Sequence, residues 1–419
     1  MTQAPPIATT LPRFNPADPA LVKDPYPTYA RYRALDPVHW GLSSMADLPG
    51  SWFLFRHEDN CALLSDGDNF ANDPATVGMA SHVPPAFAPV AYIFQRWLGG
   101  MDPPDHRRLR AILAKTFTPK RVAALRPRIE SITAALLADA LARGDGQIDV
   151  IADVSFPLPM AVIGDALGVA EEDWKLFQGW AADIAHAVDR AGDPSAAAAG
   201  AAAIAGMAEY FSAAVAEQRR NPTDDMLGMM VAAADDQGQP MQEFDVIAIA
   251  TELGVAGHET TSNAVAKSVI GLMEQRDRWV ELGTAGDALW DCAIEELLRW
   301  STPVQRQRWR WAKQDVILGG QPIERAQAVV SMLAAANRDP EVFDDPDRID
   351  FGREAARHLT FGFGNHFCLG STLARLEMKA GLHALVRALP GMELVEDPAR
   401  IPWRDNSILP APERVLVRV

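Results

Sequence analysis

Residues 361–370, Phe-Gly-Phe-Gly-Asn-His-Phe-Cys-Leu-Gly, constrain this chain more than any other stretch. Gly362 and Gly364 admit backbone angles closed to residues with a Cβ, so the loop can fold tightly and turn several N–H groups on one atom, the sulfur of Cys368. The helical pattern that follows (Ser-Thr-Leu-Ala-Arg-Leu-Glu) sets its positive N-terminal end beside the same sulfur, which favours thiolate over thiol. A free Cys is most often a small buried hydrophobe. A Cys presented between glycines ahead of a helix suits instead a metal ligand or a nucleophile.

From Phe244 to Gln275 apolar residues recur with helical spacing, but the centre, Ala256-Gly257-His258-Glu259-Thr260-Thr261, is poor helix-forming sequence. Gly inside a helix costs about 1 kcal/mol relative to Ala, and paired Thr lose rotamer freedom. Small residues there let a flat body approach the backbone, and a Thr hydroxyl can bond the carbonyl four residues back, opening the helix enough to hold a water. The plainer alternative is a kinked core helix with a satisfied, buried Glu259. Two further pairs stand out. His106 and Arg110 share one face of a helix opened by Pro103, Pro104 and Asp105. Glu296 and Arg299, at i, i+3 in an apolar run, read either as a surface ion pair of little worth or as a buried one.

Together these stretches resemble the cytochrome P450 family. FGFGNHFCLG is similar to its haem-binding loop, AGHETT to its distal-helix motif, DPPDHRRLR to its haem-contacting helix and the ExxR of Glu296 and Arg299 to its buried ion pair, and the resemblance runs from about Asp24 to the C-terminus. It implies the P450 fold, mainly α with a smaller β region, and haem b as cofactor with Cys368 as the proximal thiolate ligand to iron. By the same match Phe361, Gly362 and Gly370 form the loop around the haem, and Ala256 with Val255 lines the pocket above it. His106, Arg110, His366 and Arg310 reach the propionates. Six residues separate Pro303 from Arg310, one more than the family spacing, so Arg308 is the alternative. Thr260 is assigned to hold water or bound oxygen and Glu259 to relay protons from solvent, while His258 points away. Arg348 would join Glu296 and Arg299 in pinning the chain that leads to the Cys.

The implied activity is that of a haem-thiolate monooxygenase, which inserts one oxygen atom of O₂ into an apolar or amphipathic small molecule by hydroxylation or epoxidation. Electrons come from NAD(P)H through a ferredoxin. A peroxide-using or reductase-independent haem-thiolate enzyme, and a non-catalytic haem sensor or carrier, are the alternatives.

A net charge of −16 argues against nucleic acid as a partner. Between His106 and Arg121, however, six basic residues stand without an acid. That stretch reads as a solvated helix face or as a docking patch for an acidic ferredoxin near Arg107, Arg108 and Lys115. Cys61, Cys292 and Cys368 are too far apart, and odd in number, for a disulfide framework or a CxxC site, which points to a reducing compartment. The N-terminus lacks a signal-peptide pattern, and the Ala-rich run at 196–208 is too short and too weakly apolar to span a bilayer. A cytoplasmic protein without a membrane segment is therefore expected.

Along the chain, residues 1–20 read as a loosely held arm and 21–419 as one haem domain. Helical patterns cover roughly 119–143, 153–168, 171–190 and 198–219, while Asp-Val-Ile-Leu-Gly-Gly and Ala-Gln-Ala-Val-Val read as strands. Ala326 stands where the turn between such strands commonly has Gly, and a changed turn type is expected. Residues 72–100, apolar and rich in Pro, read as a wall of a substrate pocket, and the Gly/Pro-containing stretch 190–200 as a hinge for a pocket lid or a plain connection.

Overall fold

Helical spacing of apolar residues decides most of the chain. The computed structural model describes residues 11–43, 45, 48–79, 85–190, 192–353 and 357–419. The helices that build the site are α1 (Asp105–Thr116), α2 (Arg126–Ala142), α3 (Pro157–Leu167), α4 (Trp174–Asp189), α5 (Pro194–Arg220), α6 (Glu243–Ala256), α7 (Glu259–Glu274), α8 (Asp287–Ser301) and α9 (Ser371–Ala388). They bury their apolar stripes in two separate cores. One gathers Leu109 of α1, Phe177 and Ile184 of α4, Ile204 and Phe211 of α5 and Ile249 of α6. The other gathers Leu137 of α2, Val269 of α7, Trp290 and Leu297 of α8 and Leu385 of α9.

The long helix expected over 244–275 is two helices. It breaks at Gly257 and His258, where the chain passes from the first core to the second. A Cβ on Gly257 would stand 2.7 Å from the Leu253 carbonyl oxygen and 3.0 Å from Ile163 of α3, so the crossing is tight enough to demand glycine.

The β part is small, as expected. Strands β1 (Val38–Gly41), β2 (Ser51–Leu54), β3 (Phe70–Ala71), β4 (Gln147–Asp149), β5 (Arg310–Ala312), β6 (Val316–Leu318), β7 (Gln321–Ile323), β8 (Ala328–Ser331), β9 (Glu393–Leu394) and β10 (Leu416–Arg418) form three sheets. The largest runs β1-β2-β8-β5-β3, with β2 and β8 parallel and the remaining pairs antiparallel. In this sheet Arg310 lies opposite Val329.

The arm expected over residues 1–20 does not stay loose to its end. Residues 1–10 lie outside the described residues, but Leu11 and Phe14 are buried, Phe14 edge-on to Tyr32, Phe53 and Phe55 at centroid distances of 4.9–5.3 Å. Three aromatic rings hold the segment down through Phe14. Helix α5 also differs from the reading of the Ala-rich run: at 27 residues it is long and apolar enough, by length and composition, to cross a membrane. In this fold Ala197, Ala201, Ile204, Met207 and Phe211 are instead buried in the first core.

Ala326 does not change its turn type. It adopts φ +67° in the left-handed region and donates its N–H to Ala312 at 2.7 Å. That conformation costs a residue with a Cβ roughly 1–2 kcal/mol, so Ala326→Gly is expected to stabilise the protein by about 1 kcal/mol, read as a higher urea midpoint at unchanged slope.

The ExxR pair is buried. Glu296 and Arg299 are both fully inaccessible and meet in two bonds of 2.7 Å, Nε to Oε2 and Nη2 to Oε1. The third partner is Arg353, whose Nε lies 3.3 Å from Glu296 Oε1. Arg348, expected in that role, offers only its carbonyl oxygen to Arg299 at 3.2 Å. Arg299 also donates to the Asn337 and Pro346 carbonyls, so α8 is tied to the meandering segment ahead of the Cys loop.

One buried cation serves neither pair. Lys267 of α7 donates to the Thr302 carbonyl at 3.2 Å, and burial pulls its pKa down to about 7. The folded pKa lies below the unfolded one, so the unfolded chain binds more protons between about pH 7 and 10.5. The penalty on folding is thus full below pH 7 and fades as pH rises through that window. Lys267→Met should stabilise by about 1–4 kcal/mol at pH 6 and by much less above pH 10, measured by thermal melts at both ends.

Candidate active site

The Cys loop and the broken helix lie on the same seam between the two cores. Phe361 belongs to the second core, while Leu369, next to the Cys, packs on the first, as does Val255 ahead of the helix break. Gly362 and Gly364 take φ +72° and +73°, as the loop reading required. A Cβ on Gly364 would stand 2.5 Å from the Leu64 carbonyl oxygen. The Cys368 N–H donates to the Phe361 carbonyl at 2.9 Å, closing the loop, and the Gly370 N–H at the start of α9 points at the Cys368 sulfur. The Phe361 ring lies under Arg375, whose guanidinium carbon is 4.4 Å from its centroid.

Cys368 lies deep in the protein yet its surface is open, so it faces an internal space. Burial pushes the thiol pKa up, against the downward pull of the Gly370 N–H, Arg110 and Arg375. The sequence expectation of a lowered pKa is therefore reversed, because the loop removes the sulfur from water more effectively than its donors stabilise charge. A metal ion bonded there would deprotonate it outright.

On the other side of the seam Ala256 is exposed, and the Thr260 hydroxyl donates to the Ala256 carbonyl at 2.9 Å, the i−4 bond that the paired threonines suggested. Glu259 is buried, its pKa raised by desolvation, and pairs with Arg404 at 3.2 Å. Arg404 is about one-third exposed and so joins the buried carboxylate to solvent. His258 points into the core, its Nδ1 3.4 Å from the Gly254 carbonyl oxygen and its ring edge-on to Phe156. Burial lowers its pKa to about 4, and it acts as structure, as expected.

His106 and His366 stack with centroids 3.9 Å apart. Burial and the neighbouring Arg110 and Arg310 push both imidazoles far below their usual range, to about 4 and about 3. Asn72 Nδ2 lies 2.9 Å from His366 Nε2, and His106 Nε2 is buried without a hydrogen-bond partner. Arg310 is buried with no hydrogen bond or ion pair among the described residues, and Arg110 donates to the Phe367 carbonyl. Asp102, the nearest acid, is committed to the Asn72, Asp73 and Thr76 donors. This cluster of donors lacks anions, and buried donors are costly unless an acceptor reaches them. Carboxylates on the edge of a flat cofactor would satisfy it.

Arg308 lines the same cavity as Arg310 and His366 but has other immediate neighbours. Its guanidinium carbon lies 4.5 Å from the Phe94 ring centroid, and the charge it senses is Glu252 of α6. The structure thus groups Arg310, not Arg308, with His106 and His366.

Two residues of the seam escaped the sequence reading. Glu377 of α9 is fully enclosed, bonded to Thr261, and its pKa is raised by burial to about 8. Its signal was a charge on a stripe otherwise made of Leu373, Leu376, Met378 and Gly381. Arg404 had none, being one of many arginines near the C-terminus.

A family profile of cytochrome P450 matches residues 288–399. The PikC cytochrome P450 monooxygenase of Streptomyces venezuelae is 35% identical over 92% of this chain and 89% of its own length. Nocardicin C N-oxygenase of Nocardia uniformis is 35% identical over 96% of this chain and 97% of its own. The chain belongs to the cytochrome P450 family. Among solved structures, the PksS P450 of Bacillus subtilis superposes with a TM-score of 0.87 at 29% identity, covering 97% of this chain and 99% of that one. This P450 is a monooxygenase with haem as its cofactor. The residues fit that group: one thiol on an internal face, small residues at the helix break, and, among the described residues, buried donors without acceptors at His106 and Arg310.

Proposed function

We propose that Cys368 ligates the haem iron, that His106, Arg110, Arg310 and His366 hold the propionates, and that Phe361, Gly362, Gly370 and Ala256 shape the two faces of the site. The observation that carries this reading is that the thiol loop and the helix break each pass between the same two cores. Bound there, the haem supplies O₂ activation and the oxidation of substrate. The chain's own share is ligation, positioning and proton access. Thr260, released from ordinary helix geometry, holds a water at the break, and Glu259 passes protons inward. Arg404 sets the charge of Glu259 and links it to the outside. Glu377 and Thr261 form a second buried polar pair on the α9 side.

The substrate is an apolar or amphipathic small molecule. A cavity of ≈ 270 Å³ with Val188, Val304, Val330 and Ile408 on its apolar side and Asn72, Gln307, His366 and three arginines on its polar side supports the amphipathic case. The expected pocket wall at 72–100 contributes Asn72 and Gly99 to it, while residues 80–84 lie outside the described residues.

A ferredoxin delivers the electrons on the thiol side, where α1 meets the Cys loop through Arg110. Arg107, Lys120 and Arg121 are exposed there without an ion pair among the described residues. Arg108 and Lys115, also expected in the docking patch, are already matched by Asp245 at 3.4 Å and Asp236 at 2.9 Å, so their charge is largely offset. The reading also keeps one haem domain acting in the cytoplasm, extended from residue 21 back to the packed Leu11 and Phe14. Reconstitution with ferredoxin, its reductase and NAD(P)H, run beside a peroxide-driven reaction, tests it: oxygenated product in the first and little in the second is expected, and product with peroxide alone would favour a reductase-independent enzyme.

A further inference from the structure

Resting on the P450 reading, we infer that the substrate carries a carboxylate, and that Arg308 is the residue that recognises it. Three arginines, Arg306, Arg308 and Arg310, line the cavity of ≈ 270 Å³. Arg306 is satisfied within the protein: it donates to the Ser407 carbonyl at 2.8 Å and hydroxyl at 3.1 Å, and lies 3.5 Å from Asp189. Arg310 belongs with His106 and His366 at the edge assigned to the propionates. Arg308 has no such partner. Among the described residues its side chain makes no hydrogen bond and no ion pair, although it lies deep in the protein and its surface is open to the cavity.

The surroundings hold that guanidinium in place without satisfying it. One face rests on the Phe94 ring, and Nη1 stands 3.3 Å from where a Cβ on Gly100 would be, so the plane is wedged between an aromatic ring and glycine backbone. The nearest acid, Glu252, offsets part of its charge but makes no bond to it. Both Glu252 oxygens are spent on backbone donors, Oε2 on Leu98 N–H at 2.6 Å and Oε1 on Gly99 N–H at 3.0 Å. Glu252 lies one helical turn before Ala256 on the same face of α6, so the unmatched cation sits about a turn from the oxygen end of the pocket. The cavity joins polar groups (Asn72, Gln307, His366 and the three arginines) to an apolar side of Phe53, Val188, Val304, Val330 and Ile408. Among the described residues, the one guanidinium there without a bonded partner or an assigned one matches a planar, bidentate anion attached to an apolar body. A carboxylic acid has that shape.

Carboxylate could also come from the haem edge, and the test separates the two sources. The haem-loaded enzyme is titrated by calorimetry with dodecanoic, 4-phenylbutanoic and cyclohexanecarboxylic acids and with the primary amide of each. At least one acid should bind tighter than its amide. Arg308→Gln should weaken that acid about 10- to 100-fold and leave the amide unchanged, with Arg308→Lys in between. Glu252→Gln, which removes a nearby negative charge, should tighten the acid. Equal affinities of acids and amides in the parent enzyme would overturn the inference, as would an Arg308→Gln protein that loses haem while its acid affinity stays. The carbon monoxide spectrum of the same samples reports on the P450 reading separately, so an intact thiolate-type band without acid preference would sink the carboxylate alone.

Discussion

Cys368→Ser is expected to give a folded protein that shows no thiolate-type band after reduction and carbon monoxide treatment and no detectable oxygenation of any substrate. The sulfur sits where one core's Phe361 and the other's Leu369 diverge, and its loop is closed through backbone atoms, Cys368 N–H to Phe361 carbonyl. A hydroxyl replaces the thiol without disturbing that closure, so the fold and the donors at His106, Arg110 and Arg310 remain. What would disappear is the electron-rich thiolate proposed to ligate the iron, which favours O–O cleavage. Far-ultraviolet circular dichroism and the carbon monoxide difference spectrum, taken on one preparation, check both halves. A retained thiolate-type band in the variant would mean that another residue holds the iron.

Changes at the helix break should separate electron flow from product. Thr260→Ala removes the hydroxyl that bonds the Ala256 carbonyl, so the break loses its fixed polar atom and any water there loses its anchor. NAD(P)H consumption should continue while oxygenated product per NAD(P)H falls at least several-fold. Glu259→Gln removes the titrating group and should slow turnover by roughly 10²-fold, within the range for a positioned acid or base. Because burial raises the Glu259 pKa while Arg404 lowers it, Arg404→Gln should move the acid limb of the rate profile to higher pH. If Thr260→Ala leaves the ratio of product to NAD(P)H unchanged, the hydroxyl has no part in proton delivery. If Arg404→Gln leaves the acid limb in place, Glu259 is not the group that titrates.

The sequence by itself determined the motifs and the local shapes they require. Gly362 and Gly364 had to take positive φ, and the paired Thr260 and Thr261 foretold an i−4 bond, because backbone angle and short-range hydrogen bonding depend on few neighbours. Charge and depth were decided by tertiary structure. The Cys368 thiol rises instead of falling because burial, invisible along the chain, outweighs the donors that the loop supplies. Arg353 replaces Arg348 beside Glu296, because in an irregular segment residue spacing does not fix which side chain turns inward, and Arg310 neighbours the two histidines because strand β5 begins there. Partners that meet from distant parts of the chain, such as Glu259 with Arg404 and Glu252 with the Leu98 and Gly99 amides, exist only once the two cores have packed.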